Sequence, residues 1–369
     1  MKKLLFIVGT RPEAIKMAPL ILLCRQEKNF EVKLCITAQH RSMLDQVLDF
    51  FEIKADYDLS VMQPGQSLFT LTANCLNGLE PVLETENPDL VLVQGDTTTA
   101  FAGALAAYYK NKKIAHIEAG LRSGNKHSPF PEEANRRMIG TLADFHFAPT
   151  AQACQHLNHE NITQNVFQVG NTVIDALLMG LDKIQHDQRY ADQFPYLNHM
   201  GRMVLITGHR RESFGKPFED FCGAVSHLAQ QYPDVEFVYP VHLNPQVQAP
   251  VKKILGTQVN IHLIAPVAYP EMIWLMQRCY FVITDSGGVQ EEAPSLGKPV
   301  LVIREVTERI EGIEAGTALL VGTNPDRIKE RAIALLDDQA TYHQMANAVN
   351  PYGNGTTCRQ IIDILKKNL

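Results

Sequence analysis

The sequence predicts an α/β protein made of two doubly wound parallel-sheet domains that face a cleft. Three observations carry this expectation. Short apolar runs alternate with helix-like stretches along nearly the whole chain, the pattern of parallel strands joined by crossover helices. The alternation comes in two sets, parted by a polar stretch at residues 186–199 that holds no strand-like run. A length of 369 residues is too great for one ordinary core and suits two domains.

In the first set, residues 4–8, 32–37, 90–94, 114–118 and 145–148 read as strands, with helices expected at 14–28, 42–51, 68–86 and 98–110. A helix at 173–184 leads into the polar connection. The second set has strands at 203–207, 236–239, 261–264, 281–284, 300–303 and 319–321. Pro351-Tyr352-Gly353-Asn354-Gly355 then breaks the chain before a last helix at 357–367. The first domain is placed at 1–172 and the second at 173–355, leaving 356–369 as a terminal helix. Folds of this kind bind ligands beyond the carboxyl ends of their strands.

Composition narrows the function classes. A formal charge of −6 gives no case for a nucleic-acid or acidic-membrane partner. No apolar run approaches the roughly 20 residues that cross a bilayer. The opening Met1-Lys2-Lys3 precedes an apolar run of only five residues that ends in Gly9-Thr10-Arg11-Pro12-Glu13, which reads as strand and loop rather than a secretion signal. Seven cysteines without a C-x-x-C pair read as reduced, buried thiols of a cytoplasmic protein. His156 and His159 lack further ligands nearby, so a helix end is expected there and no metal site.

The most informative segment is Thr284-Asp285-Ser286-Gly287-Gly288, followed by Glu291 and Glu292. It follows an apolar strand and opens a helix. Two glycines permit close backbone approach, and a helix start offers free N–H groups to an anion such as a diphosphate. Glu292, about one turn in, is placed to accept hydrogen bonds from ribose hydroxyls. Phosphate plus diol points to a nucleotide, although the chain has neither a Walker A motif nor G-x-G-x-x-G.

Other strand ends carry candidate chemistry. Arg11 and Lys16 follow the first strand, where cations would neutralise a departing diphosphate; ordinary surface charge is the competing reading. Asp96 precedes three threonines, so helix capping competes with catalysis there. Glu118 ends an apolar strand, where burial would raise its pKa and make it an acid or base. Ser128-Pro129-Phe130-Pro131 delivers Glu132 and Glu133 to a helix start, where complementing the helix dipole is the alternative. By topology, Asp96, Glu118 and Glu132 converge on one rim. In the second half, Gly208-His209-Arg210 leaves a strand as a cationic loop, with His209 titratable near neutrality. Arg304 and Arg309 add positive charge near the glycine cradle.

Residues 9–20, 38–48, 95–99, 116–122, 129–136, 170–177, 208–215, 239–245 and 284–302 together resemble the bacterial non-hydrolysing UDP-N-acetylglucosamine 2-epimerases in order and spacing. The resemblance implies a GT-B-like pair of Rossmann-type domains, with the last helix crossing back to the first. It implies interconversion of UDP-GlcNAc and UDP-ManNAc with no cofactor, in a homodimer. Asp96, Glu118, Glu132 and His209 match the family's catalytic residues. Arg11, Lys16, Ser286, Gly287, Gly288, Glu292 and Arg309 match those that contact UDP. Gln39, His40, Glu133, Arg210 and His242 match those that hold a second UDP-GlcNAc as an allosteric activator. Three departures stand out. Met272 takes the place of an aromatic near uracil, Ile310 replaces a proline, and residues 62–66 lack an arginine found in some members.

The C2 hydrogen of the sugar is barely acidic until UDP begins to leave C1. Elimination of UDP to 2-acetamidoglucal, then re-addition, is therefore the expected route, with Asp96, Glu118 and Glu132 as the acid/base set. Rival readings are a glycosyltransferase of the same architecture, a hydrolysing epimerase releasing ManNAc and UDP, and a non-catalytic nucleotide-sugar sensor.

Overall fold

The structure, a computed structural model, describes residues 1–37, 41–62, 65–197, 201–210 and 213–369. The chain forms two compact units, Met1–Met179 with Tyr352–Leu369, and Gly180–Pro351. The division falls inside helix Thr172–Ile184, ahead of the polar stretch. That stretch forms the short helix Gln188–Gln193 and a turn at Pro195–Leu197, anchored by buried Phe194, whose ring lies 5.4 Å from that of Trp274.

Among the described residues the first unit carries a seven-stranded sheet. Its strands are β1 (Lys2–Val8), β2 (Phe30–Ile36), β3 (Tyr57–Asp58), β4 (Leu90–Gln94), β5 (Lys113–Ile117), β6 (Phe145–Ala148) and β7 (Val166–Gln168). They pair in parallel in the order β3-β2-β1-β4-β5-β6-β7. Leu4 to Val8 of β1 and Leu90 to Val93 of β4 have no exposed surface, as central strands covered on both faces require. Helix Thr98–Tyr109 can lie close to them because its side chains are small. A Cβ on Gly103 would stand 3.1 Å from both Ile7 and Val93. The edge strands β3 and β7 are two and three residues long, too short for any periodicity to betray them in sequence.

Helix Thr357–Asn368 belongs to this unit. Its buried Cys358, Ile361, Ile362 and Leu365 form the inward stripe. Asp175 accepts from the Cys358 amide at 2.9 Å, and Lys366 pairs with Glu27 at 2.6 Å.

The second unit carries β8 (Arg202–Thr207), β9 (Val235–Pro240), β10 (Ile261–Ile264), β11 (Phe281–Thr284), β12 (Val300–Val302) and β13 (Ala318–Leu320). They run parallel in the order β10-β9-β8-β11-β12-β13, the doubly wound arrangement. Val204, Ile206, Phe237, Tyr239, Phe281 and Ile283 join Phe218, Phe221 and Leu228 of helix Lys216–Gln231 in its core. In each unit the direction of winding reverses beside the first strand, between β1 and β4 and between β8 and β11. These are the switch points where loops diverge and leave room for a ligand.

All seven cysteines are free and all but Cys154 are buried. Burial pushes the thiols of Cys24, Cys35, Cys222 and Cys279 up to about 12. Among the described residues no helix is long and apolar enough to cross a membrane, and no group of three or more His, Cys, Asp or Glu is arranged to hold a metal ion. His156 instead bonds the Gly120 carbonyl at 3.0 Å.

Candidate active site

At the switch point of the first unit, Glu13 links the loops that follow β1 and β4. Its carboxylate accepts from the Gly9 amide at 3.2 Å, after β1, and from the Thr97 hydroxyl at 2.8 Å, after β4. Burial pushes its pKa up to about 7, against the pull of those hydrogen bonds. Gly9 is obligatory, because a Cβ there would lie 2.2 Å from the Thr99 hydroxyl and 2.5 Å from that of Thr37. Helix Arg11–Gln26 starts earlier than expected, with Pro12 in its first turn, so Arg11 is its first residue and Lys16 lies on its buried side.

Lys16 reaches across to Glu118, 2.5 Å away, and both side chains are largely buried. Glu118 was expected to end a strand. It lies instead one residue beyond β5 with φ of +65°, a left-handed conformation that turns it out of the sheet's alternation. Its other donors are the Gln94 amide and the Asn171 amide at 3.0 Å. The buried carboxylate thus meets the Lys16 cation together with neutral amide donors.

Asp96 does not cap its helix. Thr97 does, its hydroxyl accepting from Ala100 N at 3.0 Å, which leaves the Asp96 side chain for other work. Helix Glu132–Leu142 grips Asp96 twice. Asn135 donates to its carbonyl at 2.9 Å, and Arg136 donates to its carboxylate at 2.7 Å. The same guanidinium reaches Glu133 at 3.1 Å, and Glu133, fully buried, also accepts from Ser123 N at 2.9 Å. Glu132, half-buried, opens that helix. A Cβ on Gly95 would stand 3.6 Å from Glu118 Oε2, so Glu118 and the Asp96 turn are neighbours. His116 fixes that turn from beneath by bonding the Gly95 carbonyl at 2.7 Å. Gln39 and His40 lie outside the described residues.

In the second unit Asp285 is the anchor. Buried after β11, it accepts from the amides of His209 at 2.6 Å and Arg210 at 2.8 Å, while its own carbonyl accepts from Arg210 Nε at 3.0 Å. The loops after β8 and β11 are thereby one structure. The His209 ring stacks on His242 with centroids 5.3 Å apart, and its Nδ1 lies 3.5 Å from Asp285. Desolvation lowers the His209 pKa below its ordinary value, helped by His242 and Arg210 and opposed by Asp285. A largely neutral ring at neutral pH follows.

Ser286 N bonds back to Thr284 Oγ1 at 2.9 Å, which aims the chain into helix Gly287–Glu292. Ser286, Gly287 and Gly288 are all half-buried at its opening. A Cβ on Gly287 would meet the Arg309 guanidinium at 3.4 Å, so the glycine lets that cation lie against the backbone. Glu291 holds Arg309 at 2.8 Å, and Tyr269 donates to Glu292 at 2.8 Å. Met272 is half-buried on helix Tyr269–Arg278. Arg304 does not add free charge to the cradle. It pairs with Glu308 at 2.8 Å, and although burial pushes the Glu308 pKa up, Arg304 carries it down to about 2.

Sequence reasoning missed Glu13, Gln94, Arg136, Asn171 and Tyr269 as site residues, and did not see Asp285 as the anchor of the cationic loop. Gln94, Asn171 and Asp285 stood beside or near a glycine. The others act through partners remote in the chain, which no local pattern marks.

A family model described as UDP-N-acetylglucosamine 2-epimerase matches residues 23–366. The chain is 51% identical over 371 residues to the UDP-N-acetylglucosamine 2-epimerase of Escherichia coli strain K12, covering 99% of each. A crystal structure of UDP-GlcNAc 2-epimerase from Neisseria meningitidis bound to UDP-GlcNAc matches with a TM-score of 0.93 and 48% identity, over 99% of this chain and 100% of that one. The Methanocaldococcus jannaschii UDP-GlcNAc 2-epimerase in complex with UDP-GlcNAc and UDP matches with a TM-score of 0.83 at 32% identity, over 99% and 100% of the two chains.

Proposed function

This chain belongs to the UDP-N-acetylglucosamine 2-epimerase family, and from that premise we propose that it interconverts UDP-GlcNAc and UDP-ManNAc without releasing free sugar. The observation that carries the reading is the pair of carboxylates at the ends of neighbouring strands β4 and β5, each matched by a cation: Asp96 by Arg136 and Glu118 by Lys16.

The second unit holds the nucleotide in this proposal. The N–H groups at Ser286, Gly287 and Gly288 and the Arg309 guanidinium take the diphosphate, Glu292 takes the ribose hydroxyls, and Met272 packs on uracil. Arg11 and Lys16 are assigned as further cations for the diphosphate, as the resemblance implies. As the C1–O bond breaks, its electron pair leaves on the β-phosphate. A carboxylate from the set Asp96, Glu118 and Glu132 removes the C2 proton, and the C–H electrons form the C1–C2 double bond of 2-acetamidoglucal. A proton then enters C2 from the other face, and UDP oxygen attacks C1. His209, with its pKa lowered, assists at the phosphate or sugar as a neutral hydrogen-bonding group. Every bond broken is remade, so the cycle needs no redox cofactor.

Glu133, Arg210 and His242, with Gln39 and His40, would hold a second UDP-GlcNAc as activator. The Arg136 guanidinium shared by Glu133 and Asp96 gives such a ligand a route to the catalytic carboxylate. The homodimeric, cytoplasmic enzyme would supply ManNAc units for a cell-surface polysaccharide.

The test is NMR of the full chain with UDP-GlcNAc alone in D2O. Expected is UDP-ManNAc carrying deuterium at C2. Product without deuterium would overturn elimination, free ManNAc with UDP would identify a hydrolysing enzyme, and no product would favour a transferase awaiting an acceptor or a sensor.

A further inference from the structure

The geometry points to Asn171 as a positioning residue that aims the Glu118 carboxylate and ties it to the place where the chain returns to the first unit. This inference rests on the proposed role of Glu118 and adds a residue to it. Asn171 makes three bonds at once. Its Nδ2 donates to Glu118 Oε1 at 3.0 Å, its Oδ1 accepts from Val173 N at 3.0 Å, and its own N–H donates to the Tyr352 carbonyl at 2.7 Å. The residue is 2% exposed, so none of these groups has ready access to water.

The second bond is a helix cap for Thr172–Ile184, the helix within which the chain passes into the second unit. The third meets the returning chain at Tyr352, the first residue back in the first unit. The crossing is tight by construction. Gly170 has φ of +92°, and a Cβ there would lie 2.7 Å from the Thr357 hydroxyl and 3.2 Å from the Tyr352 carbonyl. Two passages of the chain therefore meet at one asparagine, whose side-chain amide donates to Glu118.

Glu118 needs such a donor. Oε1 already faces Lys16, and Oε2 faces Gln94. The Asn171 amide gives Oε1 a second donor, planar and held by its own bonds, beside the rotatable Lys16 ammonium, and with Gln94 on Oε2 it fixes the carboxylate plane. A displacement of the crossing segment moves the Asn171 amide and so the aim of Glu118. Misplacement by about 1 Å is enough to slow chemistry by roughly 100-fold.

The experiment uses the full chain with Asn171→Asp and Asn171→Ser. Both residues cap helices well and both keep the backbone N–H, so the helix and the Tyr352 bond are retained; both lose the amide donor. Expected is a fall in kcat of about 10- to 100-fold in each, with KM for UDP-GlcNAc within about threefold and a thermal midpoint lower by several degrees, as loss of a buried hydrogen bond requires. The Asp variant carries a further mark. When protonated it donates to Glu118 as the amide did, so its activity relative to wild type rises as pH falls; the Lys16 ammonium and the Glu118 carboxylate face the new acid, and the Ser variant shows no such rise. A crystal structure of Asn171→Ser provides a readout independent of the reaction, with Glu118 expected to leave its place between Lys16 and Gln94. Unchanged kcat in both variants, or an unmoved Glu118, overturns the inference. Failure of the wild-type chain to epimerise would instead overturn the proposed function, leaving the structural readout to decide the role of Asn171.

Discussion

Replacing Glu118 by glutamine removes the countercharge of a lysine whose side chain is only 11% exposed. At 2.5 Å and an effective dielectric of about 20, the attraction between Lys16 and Glu118 is roughly 7 kcal/mol. Taking both ions out of water costs several kcal/mol each, so the pair contributes little net stability when intact. Breaking it is another matter, because the survivor keeps its desolvation cost and loses its partner. Glu118→Gln and Lys16→Met should each destabilise the first unit by about 3–5 kcal/mol. The double variant, with no buried charge left over, should be more stable than the sum predicts by about 2 kcal/mol or more. Urea unfolding followed by hydrogen exchange at β4 and β5 amides is the suitable assay, since two units need not unfold in one step. Epimerase activity should be lost in all three variants, which separates the structural from the chemical role. Additivity within about 0.5 kcal/mol would refute the reasoning. A double variant that regains activity along with stability would show that the pair serves folding alone.

Three further outcomes are expected. Asp285→Ala strands the buried amides of His209 and Arg210 and should cost about 3 kcal/mol in urea unfolding, whereas Asp285→Asn, which still offers an oxygen to both, should cost under about 1 kcal/mol; equal losses would contradict the anchor role. His116 and His146 are buried neighbours whose pKa values burial lowers to about 3 and about 4. A depressed folded pKa gives stability that is full above the unfolded value near 6.5 and is lost as pH falls toward the folded one, so each should remove about 2 kcal/mol between pH 8 and pH 5. Denaturant titrations of wild type and His146→Gln check this: Glu13, whose raised pKa acts in the opposite direction, is common to both, so the gap between the two curves should change by about 2 kcal/mol between pH 8 and pH 5; parallel curves would refute it. Gly9→Ala drives a methyl against the hydroxyls of two stiff threonines and should destabilise by about 1–3 kcal/mol, read as a lower thermal midpoint; an unaltered midpoint would mean that β1 yields there.

Much of the fold was legible because burial on both faces leaves a plain mark in sequence. Strands at 90–94, 145–148, 261–264 and 281–284 coincide with β4, β6, β10 and β11 to the residue. Each is an apolar run closed by a turn or a polar residue. β3 and β7 were not legible, since a two- or three-residue edge strand exists only through its neighbour's hydrogen bonds. Helix Arg11–Gln26 begins three residues before the expected 14, with Pro12 in its first turn, where a missing N–H leaves no bond unmade.

The candidate site divides along the same line. The chain alone determined which chemistry-bearing groups stand at strand ends: the glycines after β11, the cationic loop after β8, and Asp96 and Glu118 after β4 and β5. That is a consequence of strand periodicity and turn composition, which are local. Only the tertiary structure decided what each group is bonded to. Lys16 lies 102 residues from Glu118, Asn171 lies 53 from it, and Arg136 lies 40 from Asp96. Whether a carboxylate is a bare acid, a paired anion or a fixed acceptor depends on donors and desolvation supplied by those distant segments. Electrostatic surroundings are set by distance in space, and a linear chain does not carry that information in its spacing.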